Sequence, residues 1–76
     1  MVTKKAQLED TIRGWIASGE LAPGDKLPSE RTLEEEQGVG RTTVRIVLAK
    51  LAAEGLVMPH HGKGYFVAST AKTTGG

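Results

Sequence analysis

The sequence predicts an α+β fold in which three helices pack over a small antiparallel sheet. Two segments carry apolar residues at helical spacing, and between them lies a shorter segment that begins at a serine and ends at a glycine. Two short apolar runs follow, LVMP and YFVA, separated by a glycine-rich stretch. We therefore expect a hairpin that projects beside the third helix.

The first helix is predicted over residues 4–18. Its apolar stripe consists of Leu8, Ile12, Trp15 and Ile16, which recur at the spacing of one helix face. Gly19 stands where a helix typically ends. We interpret Trp15 as a core residue rather than as a platform for a ligand.

A turn and a second helix come next. Pro23-Gly24-Asp25 is a turn signal, and a very short strand at 26–27 fits the extended backbone that Pro28 imposes on Leu27. Ser29 is a good N-cap for a helix over 30–37. We interpret the following run Glu34–Glu36 as a solvated face.

The third helix is predicted over residues 41–54, and only Gly38-Val39-Gly40 separates it from the second. Two helices joined by such a tight turn form a helix-turn-helix pattern. The apolar stripe of the third helix consists of Val44, Val47, Leu48 and Leu51. Thr42 and Arg45 lie on the opposite face, flanked by Arg41 and Ile46.

The last ordered part is predicted to be a hairpin with strands at 56–59 and 65–68. The loop 60–64 reads HHGKG, and its glycines permit positive φ and close approach to a partner. We expect residues 1–68 to form one domain. The small polar residues 69–76 then form a flexible linker or tail.

Composition excludes several classes of protein. The 76-residue chain has no cysteine, and its two histidines are adjacent, so a structural metal site is not expected. No cofactor and no catalytic set of residues is predicted. No apolar run approaches the roughly 18 residues of a membrane span, and the N-terminus lacks the apolar centre of a signal peptide. We therefore expect a soluble cytoplasmic protein with no membrane partner.

Charge is distributed unevenly along the chain. The net charge is +1, but residues 1–40 carry five Lys/Arg against eight Asp/Glu, whereas residues 41–76 carry five against one. The two parts thus have net charges of −3 and +4. A basic second part that contains the third helix and the hairpin suggests a basic functional face.

Four blocks together resemble the winged helix-turn-helix domain of GntR-type bacterial transcriptional regulators. They read SGELAPGDKLPSERTL, GVGRTTVR, LAAEGLV and HGKGYFV, and they cover roughly residues 8–68 in the family's order. The residues RTTVR and GKGYFV are most similar to those of the HutC subgroup. The resemblance implies a DNA-binding regulator, usually a repressor, that acts as a homodimer on a near-palindromic double-stranded operator.

The resemblance also implies where DNA is contacted. The family's contact positions fall on Arg31, Arg41, Thr42, Thr43, Arg45, His61 and Gly62, with Lys63 as a neighbour. The chain departs from the family pattern at Gly40, where a hydroxyl residue is common, and at Ile46, where a polar residue is common. The family's larger C-terminal domain, which binds a small-molecule effector, has no counterpart in these residues. The chain is then either a fragment or an unusually short member of the family. We favour a fragment, which alone would be monomeric or weakly dimeric.

The chemistry of these positions suits DNA. An arginine on the outward face of the third helix can donate two hydrogen bonds to guanine O6 and N7 in the major groove. A basic, glycine-rich wing can enter the minor groove, where readout separates mainly A·T from G·C. The residues leave open generic surface charge for Arg41 and Arg45, ordinary exposed loop roles for His61 and Lys63, and a packing role for Thr43. A further alternative is a winged helix that binds protein rather than DNA.

Overall fold

Three helices and one hairpin form the computed structural model, which describes residues 3–69. The helices are α1 (Lys4–Ala17), α2 (Glu30–Gln37) and α3 (Arg41–Ala53). The antiparallel strands are β1 (Val57–His60) and β2 (Gly64–Val67). The α+β winged helix-turn-helix fold predicted from the sequence is thereby confirmed. The predicted linker 69–76 lies, apart from Ser69, outside the described residues.

The boundaries differ from the sequence predictions by about one residue, with one larger correction. Both long helices end one residue early, and the two strands shift by one position. The strand predicted at 26–27 is only an isolated bridge from Lys26 to Phe66, supported by the Leu27 N–H, which donates to Tyr65 O at 2.9 Å. Pro28 has no N–H and therefore cannot continue the pairing.

One buried cluster holds the elements together. α1 contributes Leu8 and Ile12, α2 contributes Leu33, and the hairpin and its flanks contribute Leu27, Val57, Val67 and Ala68. The whole predicted stripe of α3 belongs to it: Val44, Val47, Leu48 and Leu51 are each at most 1% exposed. Trp15 and Ile16 pack against this cluster but stay partly exposed, so α1 is buried mainly through two of its four predicted residues.

The turn between α2 and α3 follows from local chemistry. The Ser29 side chain accepts a hydrogen bond from Thr32 N–H at 3.1 Å and thereby caps α2. Gly38 ends α2 in the left-handed conformation, at φ 65° and ψ 40°. Val39 packs against the core at the corner between the two helices. Gly40 is the N-cap of α3 and, having no side chain, makes no side-chain cap hydrogen bond.

A network of four charged side chains fixes α3 against α1. The Arg13 guanidinium lies 2.7 Å from Glu9 in its own helix and 2.7 Å from Glu54 just beyond α3. Lys50 in the last turn of α3 lies 3.1 Å from Glu9. The pairs Glu9–Lys50 and Arg13–Glu54 thus join successive turns of α1 and α3 in the same order. Near the amino end of α1, the Lys4 ammonium lies 3.6 Å from the point where a Cβ on Gly38 would stand, just before α3.

Residues 3–69 contain neither a membrane-spanning helix nor a cluster of metal ligands. No helix there has the length and apolarity needed to cross a bilayer. The same residues contain no group of three or more His, Asp or Glu side chains placed to hold a metal ion.

Candidate nucleic-acid interface

The outward face of α3 is exposed, basic and polar. The side chains of Arg41 and Arg45 are 65% and 61% exposed. Thr42 between them is exposed, whereas Thr43 is half-buried at the edge of the apolar stripe. Ile46 continues the face and is 46% exposed. The buried stripe holds the helix from behind, so this face is fixed in orientation and open to a partner.

A carboxylate from α2 holds Arg45. The Arg45 Nε–H lies 3.3 Å from each carboxylate oxygen of Glu30, in the first turn of α2. Glu30 contacts Arg45 through Nε, and its hydrogen bonds involve neither terminal nitrogen of the guanidinium. A planar guanidinium held at one edge can still donate a pair of hydrogen bonds from the other.

Arg41 and Arg31 also have carboxylate neighbours on α2. Arg41 Nε lies 3.6 Å from Glu34 Oε2, an oxygen that is buried and has no hydrogen-bond partner in the described structure. Arg31 lies 3.4 Å from Glu35, with 87% of the arginine side chain exposed. The interpretation of Glu34–Glu36 as a solvated face is therefore wrong for Glu34, which is only 26% exposed. It turns inward because α3 packs directly against α2.

The wing is a compact turn at the end of the hairpin. The Lys63 N–H donates to His60 O at 2.9 Å, which closes the turn around His61 and Gly62. All three residues of the tip, His61 to Lys63, are exposed. Below the tip, the His60 ring packs edge-on against Phe66 with ring centroids 4.5 Å apart. The predicted loop 60–64 is thus shorter by one residue on each side, because His60 and Gly64 pair in the strands.

The eight residues predicted from the sequence fall on three neighbouring elements. Arg41, Thr42, Thr43 and Arg45 lie in the first five residues of α3, and Arg31 lies on α2, which packs against it. The wing residues lie on a hairpin whose first strand also contacts α3. All eight are exposed except Thr43, so the fold leaves the predicted set accessible.

Sequence reasoning missed the glutamates that contact these arginines. From the sequence, Glu30 is only a favourable charge in the first turn of α2, and Glu34 is only part of a charge run. A usable signal was present, since Glu30 and Glu34 are four residues apart and therefore share a face of α2. The spacing does not specify that this face of α2 packs against α3.

Comparison with known proteins places this site in a family. The family described as "Bacterial regulatory proteins, gntR family" matches residues 4–67. The chain belongs to this family. It is 46% identical over 61 residues to the mannosyl-D-glycerate transport/metabolism system repressor MngR of Escherichia coli, and 43% identical over 61 residues to the transcriptional repressor NagR of Bacillus subtilis. Both alignments cover 80% of this chain and 25% of the relative. The chain therefore spans about a quarter of the length of these curated relatives.

Solved structures of this gntR-family fold agree with the architecture. The DNA-binding domain of AraR in complex with operator ORR3 superposes with a TM-score of 0.86 at 38% identity, covering 90% of this chain and 82% of that one. YtrA from Sulfolobus acidocaldarius, a GntR-family transcription factor, gives a TM-score of 0.76 at 42% identity, covering 86% of this chain and 55% of that one. Membership of the HutC subgroup stays a prediction.

Proposed function

We propose that this gntR-family chain binds double-stranded DNA sequence-specifically, as the DNA-reading domain of a transcriptional repressor. The observation that carries the proposal is the exposed Arg41–Arg45 face at the start of α3, opposite a fully buried stripe. Its support from relatives is that MngR and NagR are named repressors and that the AraR domain is described in complex with operators.

In this proposal α3 enters the major groove with its amino end first. Arg45 donates to guanine O6 and N7 through its terminal nitrogens while Glu30 holds Nε. Such a bidentate pair contributes about 1–3 kcal/mol of discrimination against other bases. Arg41 and the Thr42 hydroxyl contact phosphates or the first base, and Thr43 combines packing with a phosphate contact.

Two further elements support the docked helix. Arg31 projects from α2 and contacts a phosphate, which positions the domain without reading sequence. The wing enters the minor groove, where His61 and Lys63 donate to acceptors or phosphates. Gly62 lets the backbone approach closely because it carries no side chain. The wing then contributes affinity and the reading of groove shape more than sequence detail.

We propose the oligomeric state, the operator symmetry, the location and the effector domain from family membership. The domain acts in a homodimer on a near-palindromic operator in the cytoplasm, and a small-molecule effector binds a C-terminal domain. We propose no catalytic role for this chain. By itself the 76-residue chain is then a monomer or weak dimer that binds one half-site weakly.

The test is an amide-shift titration of the chain with a duplex selected from random DNA, repeated with Arg45→Ala and Arg31→Ala. We expect shifts concentrated at 41–45 and 61–64. Arg45→Ala should reduce the preference for the selected duplex by about 1–3 kcal/mol, the discrimination that one bidentate base contact supplies. Arg31→Ala should weaken binding to selected and scrambled duplexes equally, because a phosphate contact carries no sequence information.

Two results would contradict the proposal. One is unchanged discrimination in Arg45→Ala. The other is the absence of binding to any duplex at low salt, where the electrostatic component of DNA affinity is greatest. If no duplex binds at low salt and a substitution of Ile46 abolishes binding to a protein partner, the alternative of a protein-interaction module is favoured. Ile46 is the apolar side chain exposed on the recognition face.

A further inference from the structure

The cationic side chains of residues 3–69 fall into two groups. Five are paired with carboxylates: Arg13, Arg31, Arg41, Arg45 and Lys50. Among the described residues, no ion pair involves Lys4, Lys5, Lys26 or Lys63. Lys63 belongs to the predicted wing contacts. Lys26 is not among the predicted contacts. It lies more than thirty residues before Lys63 in the chain, so the sequence does not link it to the wing.

Lys26 nevertheless lies against the wing. Its isolated bridge to Phe66 puts it on the free edge of β2. The side chain extends along that strand toward the tip, and its Cε and Nζ atoms both lie 3.5 Å from the point where a Cβ on Gly64 would stand. Gly64 has φ +104° and borders the exposed tip at 61–63. The ammonium of Lys26 is therefore at the root of the wing.

We infer that Lys26 is a positioning residue for DNA, whose ammonium contacts a backbone phosphate beside the minor groove that the wing enters. The inference rests on the proposed function, since it assumes that the wing binds DNA. A wing inserted in a minor groove has a phosphate backbone along each side, and Lys26 lies at one side of the hairpin. Its ammonium has no ion-pair partner among the described residues, so no carboxylate there has to be displaced before it meets a phosphate.

The chemistry favours a phosphate over a base edge. A lysine is a compact charge on a flexible stem, which suits a phosphate but gives no fork for a base. The end of the Lys26 side chain lies beside Gly64, next to the exposed tip at 61–63. Lys26 should therefore add affinity and salt dependence and leave base preference unchanged.

The experiment measures binding of the 76-residue chain and of Lys26→Gln to a selected duplex across a fourfold range of salt. Losing one phosphate contact should lower the slope of log affinity against log salt by about 0.9. The advantage of the wild type over Lys26→Gln should thus shrink about 3.5-fold between the lowest and highest salt. Lys26→Arg keeps the charge and should restore the wild-type slope.

The matched control is Lys50→Gln, which removes the same charge from a lysine that pairs with Glu9 in the last turn of α3. It should keep the wild-type slope. The inference is overturned if Lys26→Gln keeps the wild-type slope, if Lys50→Gln lowers the slope equally, or if Lys26→Gln alters base preference. A wild type that binds no duplex would instead overturn the proposed function, and the inference with it, so the two failures are distinguishable.

Discussion

At the level of single residues, the notable feature is the contact between Arg45 and the carboxylate of Glu30. An exposed arginine carries about 2 kcal/mol of side-chain entropy that binding must otherwise remove. Both oxygens of Glu30 lie 3.3 Å from its Nε. The pair is largely solvent-exposed, so it adds little to folding stability. We expect its consequence in recognition, because a contact to Nε narrows the orientations open to the guanidinium before DNA binds.

Glu30→Gln should therefore reduce discrimination more than affinity. The substitution removes the charge that holds Arg45, and an exposed ion pair contributes up to about 1 kcal/mol. We expect the preference for the selected duplex over a scrambled one to fall by up to about fivefold. Affinity for the scrambled duplex should rise slightly, because one negative charge near DNA is lost. Competition binding by fluorescence anisotropy measures both quantities.

Glu35→Gln is the matched control for this residue-level prediction. It makes the same change of charge on the same helix, but its partner is Arg31, which we assign to a phosphate. Discrimination should stay at the wild-type value in this variant. Equal losses in the two variants would mean that the charge of α2, and not the orientation of Arg45, sets specificity.

At the level of elements, the left-handed Gly38 decides how α2 meets α3. It ends α2 at φ 65°, and the backbone then needs only Val39 and Gly40 before α3 begins. A residue with a Cβ costs about 1–2 kcal/mol in this conformation. Space is not the limiting factor, because a Cβ at Gly38 would meet only the Lys4 ammonium, at 3.6 Å.

Gly38→Ala should lower the free energy of unfolding by about 1–2 kcal/mol, measured by denaturant unfolding. Gly38→Asn should lower it less, because asparagine tolerates the left-handed region. Gly14→Ala is the control at a helical glycine with nothing within 4 Å of the added Cβ. That change should stabilise α1 by up to about 1 kcal/mol. A neutral Gly38→Ala would show that the turn is not held in this conformation in solution.

The elements that could be predicted from sequence are those set by local interactions. Ser29 caps α2 through Thr32, three residues away, and Gly38 ends the same helix, so both boundaries followed from short segments. The pairing at Lys26 joins residues forty positions apart. Its extent depends on tertiary packing and on the missing N–H of Pro28, so the sequence predicted a strand where one bridge forms.

At the level of the whole molecule, the difference between local interactions and tertiary packing also decides which parts of the candidate site could be predicted from sequence. The basic face of α3 followed from helical periodicity, and the individual DNA contacts followed from family resemblance. The carboxylates opposite them depend on how α2 crosses α3, which periodicity does not specify. The position of Lys26 beside Gly64 likewise depends on tertiary pairing between residues far apart in the chain, so it could not be predicted from sequence.

The network that joins α1 to α3 predicts how the whole domain responds to acid. Hydrogen bonds from Arg13, and then from Lys50, lower the pKa of Glu9 below its ordinary value of 4.5. The hydrogen bond from Arg13 also lowers the pKa of Glu54. A carboxyl group with a lowered folded-state pKa stabilises the fold above its unfolded-state pKa. That contribution is lost as pH falls through the folded-state value.

We therefore expect the unfolding free energy of the wild type to fall as pH drops below about 4.5, and to fall less steeply in Arg13→Met. Urea unfolding at a series of pH values measures this slope. Arg31→Met is the control, because Arg31 pairs only within α2 and is 87% exposed, so it should keep the wild-type slope. Identical slopes in all three proteins would mean that the network does not couple α1 to α3 in solution.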